Sequence, residues 1–266
     1  MRFVKMQGLG NDYIFLSCLE DAPEDLPGLA RRLSDRHFGV GGDGLICVCP
    51  SSKADFRMRM FNADGSEGKM CGNGIRCLGK LVYDRGLTDK TALDVETPAG
   101  VKRLTLHTRA GRVDAVTVDM GAPKISPPSS IAIQGLRLTG RPVDMGNPHW
   151  VVRYPRGGAL NLHSLCPEIG ALPQFSGGVN IEFVEEERRD LLTMRVWERG
   201  SGETLACGTG ACAAAAAAIT DGLADADVTV RLPGGELSVH WGGGDAPVYM
   251  TGPAVTVFEG EWPEDG

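Results

Sequence analysis

The sequence predicts an α+β protein with an α/β-type two-half architecture, in which each half is a curved, mainly antiparallel β-sheet wrapped around a central helix. The halves repeat each other at a shift of 136 residues, which is the separation of Cys71 and Cys207. Most apolar runs are short and bounded by turn residues, which is typical of strands. The two clearest helices begin at the motifs that these cysteines head, CGNG and CGTG.

The repeat extends well beyond these motifs, because Gly10-Asn11 matches Gly146-Asn147 and Gly86-Leu87 matches Gly222-Leu223. A chain of this length suits two domains. We therefore predict domains at 1–121 and 122–266, one carrying each cysteine, with the last strand able to return to the first half. The Pro- and Ser-containing segment 121–130 is the predicted linker.

The elements follow in order along the chain. Strands are predicted at 3–4, 13–16, 45–48, 56–61, 92–96 and 101–108, and in the second half at 150–153, 181–184, 191–197, 228–232 and 237–241. Pro27 to Asp35 is a predicted helix, and the two motif helices are expected to end before Gly86 and Gly222 at left-handed C-caps. The second motif helix is nearly all alanine, so we expect it to be buried on every side.

The composition narrows the possible partners. The hydrophobic fraction of 42% and the charged fraction of 23% are ordinary for a globular protein. A net charge of −7 disfavours nucleic acid and anionic membrane surfaces as partners. No apolar run approaches the roughly 20 residues that span a bilayer, and the start of the chain does not resemble a signal peptide. We therefore expect a cytoplasmic protein that binds a small molecule.

The eight cysteines are expected to be free thiols, since disulfides are rare in the cytosol. Their spacing does not match a zinc site, so no metal is predicted. Cys71 and Cys207 differ from the others, because each stands where the chain enters a helix. The partial positive charge of a helix N-terminus lowers a thiol's pKa, and we expect that effect at both cysteines. The alternative is that each is a buried structural thiol at a helix cap.

Two thiols can take a proton from one face of a carbon and return one to the other face. An α-carbon beside a carboxylate is a very weak acid, so backbone N–H donors are needed to stabilise the charge that develops on the carboxylate. The N–H groups at the two helix starts can supply them. These groups belong to Gly72, Asn73, Gly208 and Thr209.

Polar residues near turns and strand ends form a candidate recognition set. These are Asn11, Asn62, Asn147, Asn180, His149, Glu198 and Arg199. Arg199 could bind a carboxylate through two hydrogen bonds, and His149 could tune a thiol. Turn-forming asparagines, a surface arginine and a core histidine are the structural alternatives. The repeat places Asn180 against Gly44 and Glu198 against Asn62, so the predicted recognition shell is asymmetric.

The motifs GLGNDY, DRHFGVGGDG, FNADGSEGKMCGNGIRC, DMGNPHWV, NIEF and RVWERGSGETLACGTGACAAA together resemble the diaminopimelate epimerase family over nearly the whole chain. The resemblance implies an isomerase without pyridoxal phosphate or any other cofactor, a homodimer, and a place in lysine and peptidoglycan-precursor synthesis. It implies that Cys71 and Cys207 are the acid–base pair, with His149 and Glu198 tuning them. By the same resemblance Arg199 holds the distal carboxylate. Gly44 matches a position where many members have a glutamine that touches substrate, so this chain lacks that side chain.

Other functions remain open from the residues alone. A two-thiol racemase of the same superfamily, acting on proline or histidine, is the nearest alternative, although proline racemases resemble CGHG rather than CGNG. A non-catalytic amino-acid-binding protein would not need both thiols. A thiol–disulfide oxidoreductase would usually have Cys-x-x-Cys, which the sequence lacks.

Overall fold

The computed structural model describes residues 1–154 and 160–263, and it confirms the predicted α+β class. The helices are α1 (Leu26–Ser34), α2 (Gly72–Asp84), α3 (Leu162–Gly170) and α4 (Gly208–Thr220). The strands of the first part of the chain are β1 (Arg2–Gly8), β2 (Asn11–Ser17), β3 (Gly44–Cys49), β4 (Phe56–Asn62), β5 (Glu67–Gly68), β6 (Ala92–Thr97), β7 (Gly100–Arg109) and β8 (Arg112–Gly121). Those that follow are β9 (Lys124–Ile125), β10 (Ser129–Ile133), β11 (Leu136–Asp144), β12 (Pro148–Arg153), β13 (Asn180–Arg188), β14 (Leu191–Glu198), β15 (Gly202–Thr204), β16 (Asp227–Leu232), β17 (Gly235–His240), β18 (Val248–Pro253) and β19 (Val255–Glu261).

The chain forms two compact units. The first comprises Met1–Val118 and the segment that begins at Thr251, and the second comprises Asp119–Met250. The chain therefore leaves the first unit within β8 and returns to it within β18. Segment 121–130, where the sequence suggested a linker, contains β9 and the first residues of β10.

The two units pair their strands in the same pattern. In the first unit, β2 and β3 are parallel, β3 and β4 antiparallel, β4 and β6 parallel, and β6 and β7 antiparallel. In the second unit, β12, β13, β14, β16 and β17 follow the same sequence of parallel and antiparallel pairs. Even the register repeats, because Tyr13 lies opposite Gly44 and His149 lies opposite Asn180. The duplication seen in the sequence is thus a duplication of topology.

Helices α2 and α4 end in the same way. Gly86 and Gly222, just beyond the two helices, have positive φ angles of 67° and 71°. The N–H of Leu87 donates to the Val82 carbonyl and the N–H of Leu223 to the Ala218 carbonyl, each at 2.9 Å. A glycine in the left-handed region followed by such a bond is a common C-cap, so the predicted C-caps are confirmed.

Helix α4 is enclosed on all sides, as predicted. Ala211 to Ala216 have no exposed surface, and the helix packs on strands from β11 through to β17. Alanine allows strands to come close to the helix on every face, because its side chain extends no further than Cβ. The sheet of the second unit can therefore wrap around α4 with its first turn held in the interior.

Some elements were not predicted. Helix α3 contains Pro167, which interrupts the usual helix signal. Strands β8, β10, β11, β18 and β19 were not predicted either, although β8 alternates apolar and polar residues as a half-buried strand does. Helix α3 packs near Trp150 and contributes Leu162, Leu165 and Ile169 to the core of the second unit.

The two ends of the described chain are joined in the first unit. Strand β19 pairs antiparallel with β1, so that Arg2 lies opposite Glu261. The N-terminal amine of Met1 donates to the Trp262 carbonyl at 2.8 Å, and the Trp262 N–H donates to the Met1 carbonyl at 2.7 Å. Within the described residues, no helix is both long and apolar enough to cross a membrane.

We predict that Ala215→Leu lowers the free energy of unfolding by about 1–3 kcal/mol, because the larger side chain must displace neighbours in a filled interior. Urea denaturation followed by circular dichroism measures the effect. Ala132→Leu is the matched control, since Ala132 is exposed on β10, and it should change stability by less than about 0.5 kcal/mol. Equal losses in both variants would contradict the tight enclosure of α4.

Candidate active site

Cys71 and Cys207 are the N-cap residues of α2 and α4. Their backbones are extended, with φ and ψ of −130° and 120° at Cys71 and of −124° and 114° at Cys207. Each sulfur accepts the N–H three residues later, from Gly74 or Gly210, at 3.4 Å. The first N–H groups of a helix have no partner within it. Each cysteine is therefore placed beside backbone donors that can bind an anion.

In the first unit, Asn11 connects the cysteine to its surroundings. The Cys71 thiol donates to Asn11 Oδ1 at 3.2 Å, and Asn73 Nδ2 donates to the same oxygen at 3.3 Å. Asn11 Nδ2 donates to Asp43 Oδ2 at 2.7 Å. Because a carboxylate only accepts, Asp43 fixes the amide with its oxygen towards Cys71. The pKa of Tyr13 is raised well above its usual value, first by burial and then by Cys71 beside it.

The other predicted residues of this unit lie at strand ends. Asn62 ends β4, and its Nδ2 donates to Ser66 Oγ at 2.9 Å in the turn that follows. Gly44 begins β3 and lies opposite Asn62 in the sheet. A Cβ at Gly44 would lie 2.2 Å from the Phe61 carbonyl oxygen. This backbone therefore leaves no room for a side chain at position 44.

In the second unit, a chain of hydrogen bonds leads to Cys207. Its sulfur lies 3.5 Å from Thr209 Oγ1, and Asn147 Nδ2 donates to that hydroxyl oxygen at 3.4 Å. Asn147 Oδ1 lies 3.1 Å from His149 Nε2. His149 Nδ1 in turn lies 2.6 Å from Glu182 Oε1, and both of these side chains are fully buried. His149 is thus connected to the sulfur through Asn147 and Thr209.

Burial and two nearby carboxylates together determine the direction in which the pKa of Cys207 is shifted. Burial raises the pKa of Cys207 well above its usual value, and Glu198 and Glu182 raise it further. Hydrogen bonds from Thr209 and the Gly210 N–H act in the opposite direction. The expectation that the helix N-terminus lowers this pKa is therefore wrong for Cys207, since burial and negative charge outweigh the helix.

Glu198 is itself perturbed. Burial raises its pKa, and the charge of Glu182 raises it further, whereas hydrogen bonds with Thr204 and Cys207 lower it. The Thr204 hydroxyl donates to Glu198 Oε1 at 2.5 Å. A carboxyl group in this setting can exchange a proton with the thiol beside it.

Asn180 and Arg199 form a second group in this unit. Asn180 Oδ1 accepts the backbone N–H of Arg199 at 2.8 Å. The exposed Arg199 side chain donates to the Gly177 carbonyl at 3.0 Å and passes over Gly178, where a Cβ would lie 2.1 Å from Arg199 Cδ. Asn180 thereby fixes the backbone of Arg199, whose guanidinium is a group suited to bind a carboxylate.

The sequence reasoning missed Glu182, Tyr13 and Asp43. A signal was present for two of them. Glu182 is an acidic residue inside the apolar run of β13, and a buried carboxylate generally requires a partner. Tyr13 is the repeat mate of His149, which belongs to the predicted recognition set. Nothing in the sequence indicated that Asp43 would bind Asn11.

The family model described as diaminopimelate epimerase matches residues 3–126 and 142–257. A diaminopimelate epimerase of Acetivibrio thermocellus is 48% identical over 274 residues, covering 98% of each chain. One from Moorella thermoacetica is 48% identical over 279 residues, covering 100% of each chain.

Solved structures share the fold at low sequence identity. A hydroxyproline epimerase from Agrobacterium vitis has a TM-score of 0.76 at 17% identity, covering 98% of this chain and 91% of its own. A phenazine biosynthesis protein of the PhzF family from Bacillus anthracis has a TM-score of 0.74 at 19% identity, covering 99% of each chain. These likenesses support the two-half α+β fold.

Gly44→Ala is predicted to lower the free energy of unfolding by about 1–3 kcal/mol, because its Cβ meets backbone that cannot rotate away. Thermal or urea unfolding measures the change. Gly170→Ala is the control, since a Cβ there has no atom within 4 Å. A neutral Gly44→Ala would mean that β3 and β4 separate at little cost.

Glu198→Gln is predicted to shift thiolate formation at Cys207 to lower pH by about one pH unit, because it removes a negative charge near the sulfur. The measurement is the rate of iodoacetamide labelling of the Cys207 peptide against pH, read by mass spectrometry. Glu168→Gln, an exposed change in the same unit, should leave the midpoint in place. An unchanged midpoint in Glu198→Gln would show that Glu198 does not govern this thiol.

Proposed function

The chain belongs to the diaminopimelate epimerase family, and we propose that it interconverts LL- and meso-diaminopimelate by moving the proton of one α-carbon. The observation that carries this proposal is the pair of cysteines that cap helices of the same length, with the same geometry, in two units of the same topology. An isomerase that inverts a carbon needs two acid–base groups, and this duplication supplies two of one kind.

The proposed reaction moves protons through the two cysteines. One cysteine, as thiolate, removes the α-proton, and the other, as thiol, delivers a proton to the opposite face. After the reaction the two protonation states are exchanged, and the enzyme is ready for the reverse direction. Burial and the nearby carboxylates favour the thiol form of Cys207, which suits Cys207 to deliver a proton.

The helix starts provide the stabilisation that this chemistry needs. Removing the α-proton adds negative charge to a carboxylate, and preorganised N–H groups stabilise that charge without reorganising. We assign this role to the backbone N–H groups of Gly72, Asn73, Gly208 and Thr209. The reaction so described takes place without pyridoxal phosphate.

We assign the rest of the substrate to the polar side chains. Arg199 is proposed to bind the distal carboxylate, where its guanidinium can make two parallel hydrogen bonds. Asn11, Asn62, Asn147 and Asn180 are proposed to hold the other polar groups, with Glu198 tuning the adjacent thiol. At Gly44 no side chain is available, so backbone or water must take the place of the glutamine found in many relatives.

The wider setting is also part of the proposal. We propose that the enzyme acts in lysine and peptidoglycan-precursor synthesis, in the cytoplasm, as a homodimer, and its family membership supports this. Light scattering of the purified protein tests the dimer, and a mass of one chain at working concentration would contradict it.

We predict that the wild-type protein exchanges the α-proton of LL-diaminopimelate with deuterated water, with inversion and without added pyridoxal phosphate. Cys71→Ser and Cys207→Ser should each lower the rate of inversion by about 10²–10⁴-fold, the range that one acid–base group contributes. Proton NMR follows the exchange, and chiral chromatography follows the stereochemistry. Cys212→Ala, a buried change within α4, should retain most of the activity.

A panel of other amino acids separates the alternatives. Exchange from proline or histidine, but not from diaminopimelate, would make the protein a racemase of another substrate with the same two-thiol chemistry. If it binds diaminopimelate without exchanging any α-proton, the helix starts belong to a binding protein. Full activity in either serine variant would contradict the two-thiol mechanism.

A further inference from the structure

We propose that Glu182 is a positioning residue that keeps His149 protonated on Nε2, so that Asn147 presents its amide N–H₂ to the start of α4. This rests on the proposed function in one respect, namely the assignment of Asn147 as a substrate-binding residue. The protonation of His149 can be tested without any activity, and the argument for it uses only contacts within the second unit.

Glu182 is built into the interior next to the helix start. It lies on β13 opposite Val151 of β12, two residues along from the pair of Asn180 and His149. Its side chain has no exposed surface. A Cβ on Gly210 would lie 2.8 Å from Glu182 Oε1, so the second glycine of CGTG leaves the space that this carboxyl group occupies.

The direction of the hydrogen bonds follows from Asn147. Its Nδ2 donates to Thr209 Oγ1, which leaves Oδ1 directed at His149 Nε2 at 3.1 Å. A carbonyl oxygen can only accept, and therefore Nε2 must carry a hydrogen. The tautomer of a histidine is set by what its other nitrogen meets, and here that nitrogen meets Glu182.

A second proton must lie between His149 and Glu182. Nδ1 and Oε1 are 2.6 Å apart, and two bare acceptors at that distance would repel each other. One proton therefore occupies the bond, and the pair carries no net charge whichever atom holds it. A neutral pair also suits the site, because charge is costly to bury. In the part of the chain that the structure describes, Glu182 Oε2 is buried with no hydrogen-bond partner.

The protonation of His149 affects Cys207 because every donor in the chain of hydrogen bonds between them points towards the sulfur. His149 donates to Asn147, and Asn147 donates to Thr209. Since Thr209 Oγ1 accepts from Asn147, its own hydrogen is available to the Cys207 sulfur 3.5 Å away. This arrangement favours the thiolate that Cys207 becomes after it has delivered its proton, and it partly offsets the burial that opposes that form.

The first unit holds the equivalent asparagine, Asn11, through a different residue, and the side-chain amide of Asn11 is turned the other way. Asp43 holds Asn11 directly, so that Asn11 turns its oxygen to Cys71. The position that matches Glu182 in the repeat is Ile46, and a Cβ on Gly74 would lie 2.4 Å from Ile46 Cδ1. The acidic side chain next to the glycine of the motif is therefore particular to the second unit, where a histidine has to be held.

The direct test is ¹⁵N NMR of histidine-labelled protein, with the His149 signals assigned by their loss in His149→Gln. We expect Nε2 to be protonated in the wild type and in Glu182→Gln, where the new amide N–H₂ donates to a bare Nδ1. A bare Nε2 in the wild type would overturn the proposal, and it would do so even if the protein had no epimerase activity.

Kinetics supply the second test. Glu182→Leu, which leaves Nδ1 without a partner, should lose about 10–100-fold in kcat/KM, as outer-shell partners of histidine typically do, and Glu182→Gln, which keeps a hydrogen bond to Nδ1, should lose clearly less. Glu185→Leu on the same strand is the matched control and should be near wild type. Equal losses in folded Glu182→Gln and Glu182→Leu would overturn the proposal, because the carboxylate charge rather than the hydrogen bond would then be what matters.

Discussion

The hydrogen bond from a helix N–H to the sulfur of its own N-cap cysteine is the interaction on which the rest of each unit depends. A helix start that is buried within a sheet must find partners for its first N–H groups. Cys71 and Cys207 each satisfy one such group and leave the neighbouring ones for a ligand. The glycines of the motif allow β-strands to approach, and the enclosing sheet then brings asparagines to the sulfur. In the proposed mechanism the reactive sulfur is thus also the group that caps the helix.

From this shared scaffold the units diverge through a few side chains. The second unit has placed Glu182 and Glu198 near its cysteine, whereas the matching positions of the first unit are Ile46 and Asn62. Buried carboxylates make the Cys207 thiolate harder to form, and the hydroxyl of Thr209 makes it easier. A reversible reaction needs both forms of each thiol to be accessible. Under the proposed mechanism, turnover depends on the balance between these opposing influences on the Cys207 thiol.

The sequence predicted what is local and what is repeated. The N-caps, the C-caps at Gly86 and Gly222, and the buried alanine helix follow from residues within one turn of each other, and the duplication marked them twice. It did not predict the partner of His149, because Glu182 is 33 residues away and reaches it through the parallel pairing of β12 and β13. The direction of the Cys207 pKa shift was wrongly predicted for the same reason. Its causes are burial and carboxylates that are distant in the sequence, and folding alone brings these to the sulfur. Helix α3 was missed because its internal proline hid it.

The antiparallel pairing of β1 with β19 determines how the protein would respond to mechanical force. The two strands are antiparallel, and both chain ends emerge at the same end of the pair, where Met1 and Trp262 exchange hydrogen bonds. Tension applied to the termini would break the hydrogen bonds between β1 and β19 one after another, beginning at the chain ends, rather than load them all together in shear. Because the second unit is inserted between β8 and β18, the pull would reach it only after this terminal pair had parted. A molecule tethered by its ends would therefore yield first in the unit that carries Cys71.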